Sequence, residues 1–432
     1  MDSVSSDVLV VGGGLAGLTA ATVAARAGAS VQVLEARTEL GGRARTSDHD
    51  GFLFNEGPHA LYRAGAAHAV LKRLGVRPDG ASPALWRTAL VDGAHVGDVR
   101  RPTTLGVSGV MAMLRAVGPR GRPGDEVAMA EWIDQVGHGE HARQTLRTFI
   151  RLSAYLSDGE STSAAAVAAQ LRRAARGVRY LHGGWATLVA QLRRRALEAG
   201  VQITTSAKVD SLAYDDGRWI VHSHGGERRA KTVIIAIGGP AHAARLLGEV
   251  APTVAAWAVD ARPVAAACLD VALRRLPHRF PTTALGIDRP WYAVVHTAAA
   301  RLAPPEGGEV VHAMFYEPAL QPGVDHRAEL EAALDLVQPG WRALVVHQRF
   351  APSRVVAHDR PQPAGHRGAS TPEVVVPDVP GVYVAGDWIT ADGLLADAAV
   401  GSAARAADAA LAHLHTNQKR VPVTPAPTGR RG

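Results

Sequence analysis

A chain of 432 residues, 47% hydrophobic and 20% charged, is long enough to build two cores of ordinary size. Its single cysteine, Cys268, excludes an internal disulfide and any cysteine-based zinc cluster; with a short polar start and no long apolar run, this sets the expectation of a cytoplasmic protein without a transmembrane segment. The formal charge of +7 comes from arginines scattered along the chain, which reads as a GC-rich bacterial coding bias and solvated helix faces rather than a nucleic-acid groove, and leaves open a peripheral contact with anionic lipid.

Val8-Leu9-Val10-Val11 is a short run without alternation, as expected of a strand buried on both faces. Gly12, Gly14 and Gly17 follow as G-x-G-x-x-G, and a helix is predicted from about Leu15 to Ala27, ending at Gly28. In this setting Gly12 permits the tight turn, Gly14 admits a pyrophosphate to the backbone and Gly17 lets helix and strand pack closely, while Leu15 and Ala16 supply the first helical amides. A second strand, Ser30 to Leu34, ends in Glu35, whose carboxylate can accept hydrogen bonds from an adenosine ribose, with Ala36 and Arg37 beside it. Strand, glycine turn, helix, strand and acid together predict a dinucleotide site.

Gly41-Gly42-Arg43-Ala44-Arg45-Thr46 comes next. From Val8 to Thr46 the chain resembles flavoproteins of the amine oxidase and phytoene desaturase superfamily. The resemblance implies FAD rather than NAD, with Gly42 and Arg43 at the pyrophosphate, where a guanidinium suits the anion. It also implies that the Phe52–Tyr62 block carries Gly57, Pro58, His59 and Ala60 past the isoalloxazine edge. His59 either faces flavin or substrate or caps a turn, and the path of the segment favours the former.

Residues 100 to 175 read as alanine-rich helices. A helix from Trp185 to Ala199, Gly200 and a strand from Val201 to Thr204 repeat the opening pattern and predict another parallel strand of the same sheet. The resemblance places Val209 at the adenine. Turns at Asp215-Asp216-Gly217 and Gly225-Gly226 predict a small antiparallel meander ending near Ile237.

Strand-like runs then occur at 291–296, 310–316 and 343–350. Period-two parity puts Tyr292 and His296 on one face, His312 and Tyr316 on one face, and His347 with Arg349. If these faces coincide they line a cavity, and Tyr292, His296 and Tyr316 join His59 as catalytic candidates. No spacing of the H-E-x-x-H kind suggests a metal.

The last block, Gly381 to Trp388 followed by a helix from about Leu394 to Leu414, resembles the second FAD fingerprint of the superfamily. It implies that Gly386 and Asp387 meet the ribityl chain, and that the helix starting near Leu395 and Ala396 points its free amides at the flavin N1–C2=O edge. Asp397 in its first turn is either a cap or a catalytic acid. The resemblance implies that FAD, where covalent, is attached through a cysteine in this block; with none near Gly386, FAD is expected to be noncovalent.

The expected fold is α/β: a discontinuous Rossmann-like FAD-binding domain (1–69, 181–245 and 366–415), with a parallel sheet and a small antiparallel meander, interleaved with an α+β substrate domain (70–180 and 246–365). Residues 416–432 are expected to be a disordered tail. The expected function is an FAD-dependent oxidoreductase that moves hydride from a carbon of a small-to-medium, largely apolar metabolite to flavin N5. A flavin amine oxidase is an alternative, although the lysine that the resemblance implies on a substrate-domain strand has no counterpart between Lys231 and Lys419. A non-redox isomerase or dehydratase using reduced FAD is another.

Overall fold

A strand apolar on both faces needs cover on both faces, and the chain provides it. The computed structural model describes residues 5–57, 59–157, 159–365, 368 and 371–418. In it the strand Ser5–Val11 lies between Val31–Leu34 and Gly226–Ile235, parallel to both. Gln202–Thr204 extends the sheet beyond Val31–Leu34, and Val382–Val384 lies parallel to the far half of Gly226–Ile235. The near half of that long strand pairs antiparallel with Arg218–Ser223, which pairs with Val209–Asp215, so the expected meander is part of the same seven-stranded sheet. The helices Leu15–Arg26 and Ala396–Gln418 meet this sheet through alanines: Ala16, Ala20 and Ala24 share one core with Ala403, Ala406 and Ala410. The last helix runs to Gln418, so the expectation of disorder from residue 416 is corrected for its first three residues; 419–432 lie outside the described residues, as does Pro58.

A second seven-stranded sheet has the order Val345–Ala357, Val264–Leu273, Glu309–Tyr316, Trp291–Val295, Thr283–Gly286, Thr88–Asp92, His95–Asp98. Neighbours are antiparallel except Thr283–Gly286 with Thr88–Asp92. Strand parity divides its side chains cleanly. Leu269, Val271, Ala293 and Phe315 pack under the helix His326–Val337. Cys268, Tyr292, Val294, Met314 and Tyr316 point the other way and meet Tyr155. Tyr155 caps the helix Glu140–Ala154, which shares a core with the helices Pro102–Val117, Met129–Val136 and Ala164–Ala175. The strand expected at 291–296 stops at Val295, where His296 opens a 3-10 turn.

Candidate active site

A cleft of about 580 Å³ runs from the first sheet's glycine turn toward the second sheet. At one end it is lined by Gly14, Leu15, Ala16 and Arg37. The glycines there divide their work. A Cβ on Gly17 would lie 1.9 Å from the carbonyl oxygen of Gly12, so only glycine lets the helix sit on the turn; Gly12 has φ +104, which favours glycine. A Cβ on Gly14 would meet nothing closer than the Gly41 oxygen at 3.9 Å, so its face is open to the cleft. The Glu35 carboxylate closes the turn from below, accepting the Gly13 N–H at 2.6 Å and the Arg37 N–H at 2.8 Å.

Midway, Arg43 reaches across the cleft to Asp387 at 2.8 Å and donates to the Val356 carbonyl at 2.8 Å. Asp387 also accepts the His358 backbone N–H at 3.1 Å and faces its Nδ1 at 2.9 Å. Burial works to raise the Asp387 carboxyl, but Arg43 and His358 outweigh it and hold the group well below the usual carboxylate range. Ser402 locks the preceding Gly386, accepting from its N–H at 3.0 Å and donating to its carbonyl at 3.1 Å.

The far end is lined by His59, Ala60, Tyr155, Trp185, Leu395 and Ala396. His59 Nδ1 lies 2.8 Å from the Gly57 carbonyl. A carbonyl only accepts, so Nδ1 carries the proton and Nε2 presents a lone pair. Desolvation lowers the His59 pKa to about 4, so the ring is neutral at neutral pH.

Behind His59 and Tyr155 lies a packed, buried aromatic cluster on the second sheet, of which only Tyr155 reaches the cleft wall; Tyr292, His296 and Tyr316 do not line the cleft. Tyr292 stands 5.7 Å from Tyr316, ring to ring, and Tyr316 stands 6.4 Å from Tyr155. His296 packs against Tyr180 at 4.8 Å and stacks on His312 at 5.7 Å. Burial pushes the hydroxyl pKa values of Tyr155, Tyr292 and Tyr316 well above their ordinary value and lowers that of His296 to about 3. At neutral pH these groups are therefore uncharged.

One charged row crosses this face. Arg349, Asp270 and His312 are cross-strand neighbours on three adjacent strands. His312 Nδ1 lies 2.5 Å from Asp270 Oδ1, and Arg349 holds Oδ2 at 2.7 Å. Burial alone would raise the Asp270 carboxyl; His312 and Arg349 outweigh it and lower it. An ionised carboxylate can only accept, so His312 carries its proton on Nδ1. Its Nε2 is buried and has no hydrogen-bond partner among the described residues. Arg349 continues to Glu56 at 3.2 Å, and Glu56 to Arg354; both of these residues line the cleft. Burying the Asp270–His312 end of this charged chain costs desolvation, so what it supplies is a fixed orientation for the imidazole.

The family model described as flavin containing amine oxidoreductase matches residues 15–411. The chain belongs to that family. Its similarity to curated proteins is local: it is 53% identical over 57 residues to a carotenoid 3,4-desaturase of Haloarcula japonica, covering 13% of this chain and 12% of that protein. It is 22% identical over 250 residues to a 4,4'-diapolycopen-4-al dehydrogenase of Metabacillus indicus, covering 48% and 50%. The chain therefore spans half or less of the length of these relatives. An oxidoreductase of known structure from Methanosarcina mazei shares the fold, with a TM-score of 0.74 at 20% identity over 93% of this chain and 100% of that one.

The cofactor of this flavin-containing family member is FAD, and the cleft suits it. The open face of Gly14, the first helical amides at Leu15 and Ala16, and the Arg43 guanidinium present donors to an anion. Trp185, also on the cleft wall, has a buried Nε1 without a partner among the described residues.

Of the residues expected from sequence, Gly14, Leu15, Ala16, Arg37, Gly42, Arg43, His59, Ala60, Gly386, Asp387, Leu395 and Ala396 line the cleft. Gly12, Gly17 and Glu35 lie beneath it, as described. Ala36 is exposed and Val209 is half-buried against the sheet core; neither lines the cleft. Gly57 was expected to admit the flavin ring. The group that fills its open side is the Arg354 side chain, 2.9 Å from where a Cβ would be. His347 stacks on His49 at 4.1 Å and does not line the cleft. Asp397 caps a different helix from its own, accepting the Ala67 N–H at 2.9 Å at the start of Ala66–Arg73. That helix is preceded by Gly65, where a Cβ would collide with Asp397 Oδ2 at 2.1 Å. Sequence reasoning missed Glu56, Asp270, Arg354, His358 and Trp185 as site residues. The signal available was an acid, Asp270, inside an otherwise apolar strand.

Proposed function

We propose that the protein is a dehydrogenase, desaturase or oxidase that takes a hydride equivalent and a proton from neighbouring atoms of a small-to-medium, largely apolar metabolite. Gly14, the amides of Leu15 and Ala16, and Arg43 would hold the pyrophosphate of FAD, Glu35 the ribose and Asp387 the ribityl chain. The helix start at Leu395 and Ala396 would face the ring. Bound there, the flavin supplies a two-electron acceptor at N5.

The remaining tasks belong to the chain. Tyr155 on the cleft wall, backed by the apolar and tyrosine side chains packed behind it, excludes water and positions the substrate. His312 accepts the proton at Nε2, while Asp270 fixes its tautomer and balances the charge that results. His59, neutral and on the cleft wall, orients the substrate against the ring. The observation that carries this reading is the buried, partnerless His312 Nε2, aimed by Asp270 into a wall of otherwise uncharged side chains.

The test is anaerobic mixing of the oxidised, FAD-loaded protein with a panel of apolar alcohols, polyenes and amines, following the oxidised flavin band. Bleaching by an apolar member, with loss of two electrons and one double bond formed, supports the reading. Conversion of substrate only after prior reduction of the flavin, with no net electron transfer, would replace it with the isomerase alternative. Bleaching by primary amines alone would replace it with an amine oxidase.

A further inference from the structure

The helix Pro102–Val117 turns two unlike faces to its surroundings. Gly109, Ala112 and Ala116 are buried against the helical layer. Val107, Val110, Met111 and Leu114 are 83%, 43%, 41% and 58% exposed. Their spacing of three, four and seven residues places them in one stripe along the helix. Leu85 and Trp86, just before the strand Thr88–Asp92, are 67% and 59% exposed. The segments are held together where the Val99 N–H donates to the Thr88 carbonyl at 3.2 Å. Apolar side chains grouped in this way mark an interaction surface, whereas single exposed ones do not.

The charge around the stripe selects the partner. Between residues 85 and 122 stand Arg87, Arg100, Arg101, Arg115, Arg120 and Arg122 against only Asp92 and Asp98. Asp98 is already bound by Arg100 at 2.5 Å. The helix itself contains no acidic residue. Two copies of this face would bring like charges together. An apolar stripe carried by an arginine-rich stretch of chain that also exposes a tryptophan suits the interface of an anionic membrane.

We propose that this face docks the protein on the surface of an anionic lipid bilayer. The segment leading into this face reaches the buried tyrosine cluster. Val99 and Leu105 pack against the cluster that contains Tyr155, Tyr292 and Tyr316. Between Leu105 and the stripe the helix is broken at Gly106 (φ 61, ψ 167), and the freed Leu105 carbonyl is taken by His141 Nε2 at 2.8 Å. For the apolar substrate proposed above, that position would put the tyrosine cluster behind the cleft near the lipid; the docking itself does not depend on it.

Sedimentation of the FAD-loaded, full-length protein with vesicles tests the proposal. Vesicles of phosphatidylglycerol and phosphatidylcholine in equal parts should carry the protein into the pellet, vesicles of phosphatidylcholine alone should carry much less, and high salt should release it. The double variant Met111→Glu/Leu114→Glu should lower the partition coefficient by about a hundredfold, on the order of tenfold per side chain. Arg101→Gln/Arg115→Gln should lower it by about twentyfold, roughly fivefold per arginine. Flavin content should be unchanged in both, which shows that they fold. Val259→Glu, at a 78% exposed position on the helix Pro252–Asp260, should leave binding unchanged. Wild type that stays in the supernatant, or that pellets no better than the Met111/Leu114 variant, overturns the proposal. If the same variant instead breaks an oligomer into monomers, the face is a self-association surface. Sedimentation needs no substrate, so failure of the oxidoreductase reading would leave this result standing.

Discussion

The two sheets contribute to one site by different means. The first offers backbone: glycine faces, helix amides and a tight turn closed by Glu35. The second offers side chains set in rows across strands, with Arg349, Asp270 and His312 as the row that matters. A site made of backbone tolerates little change in shape, because any added atom meets a main chain that cannot move aside. A site made of rows tolerates changes of shape but depends on the charge and tautomer of each member.

The sharpest way to break this contrast is at Gly17. A Cβ there lies 1.9 Å from the Gly12 oxygen, and Gly17→Val should give protein that is insoluble or holds less than about a tenth of the wild-type flavin. A yellow, soluble variant would show that the turn is not held by close packing. On the other sheet the expected damage is chemical. His312→Gln should keep its flavin but lose about a hundredfold or more in turnover, and Asp270→Asn somewhat less, measured as flavin reduction by substrate. Turnover within twofold of wild type in His312→Gln would remove the dyad from the mechanism.

Acid should also distinguish the regions. His296, lowered to about 3, and His59, lowered to about 4, are held neutral in the folded chain, whereas the unfolded chain binds protons as pH falls below about 6.5. Stability from these residues is present above that pH and is lost as pH drops toward 4 and 3. His296→Asn should flatten that part of the stability–pH curve by something on the order of 5 kcal/mol. Asp397, near the nucleotide cleft, has the opposite sign. Desolvation raises its carboxyl to about 6, so the folded state prefers the protonated form and loses stability as pH rises from about 4 through 6. Asp397→Asn keeps an acceptor for the Ala67 N–H and should gain about 1–2 kcal/mol over wild type above pH 6, read as a shift in thermal midpoint.

The same contrast explains what could be read from the sequence. The glycine turn, the helix after it, Glu35 and Arg43 fall within 36 residues because a backbone site is assembled by one turn of chain, and the motif shows it. The later FAD segment, from Gly386 to Ala396, is local for the same reason. The faces of Tyr292 and Tyr316 followed from parity alone. The partners of Asp270 did not: His312 is 42 residues away and Arg349 is 79, and only the register of three antiparallel strands brings them together. Capping was one of the two roles expected of Asp397, but which helix it caps was hidden for a related reason. A carboxylate in the first turn of a helix normally serves that helix, and nothing local reveals that Gly65 has left another helix without a cap.

A crystal structure of the FAD-loaded protein tests the central claim most directly. The account predicts the adenine end beside Arg37, the isoalloxazine against His59, Tyr155 and the Leu395–Ala396 helix start, and His312 Nε2 open to the space on the far side of the ring. A reversed cofactor, or a ring walled off from the tyrosines and His312, would contradict it.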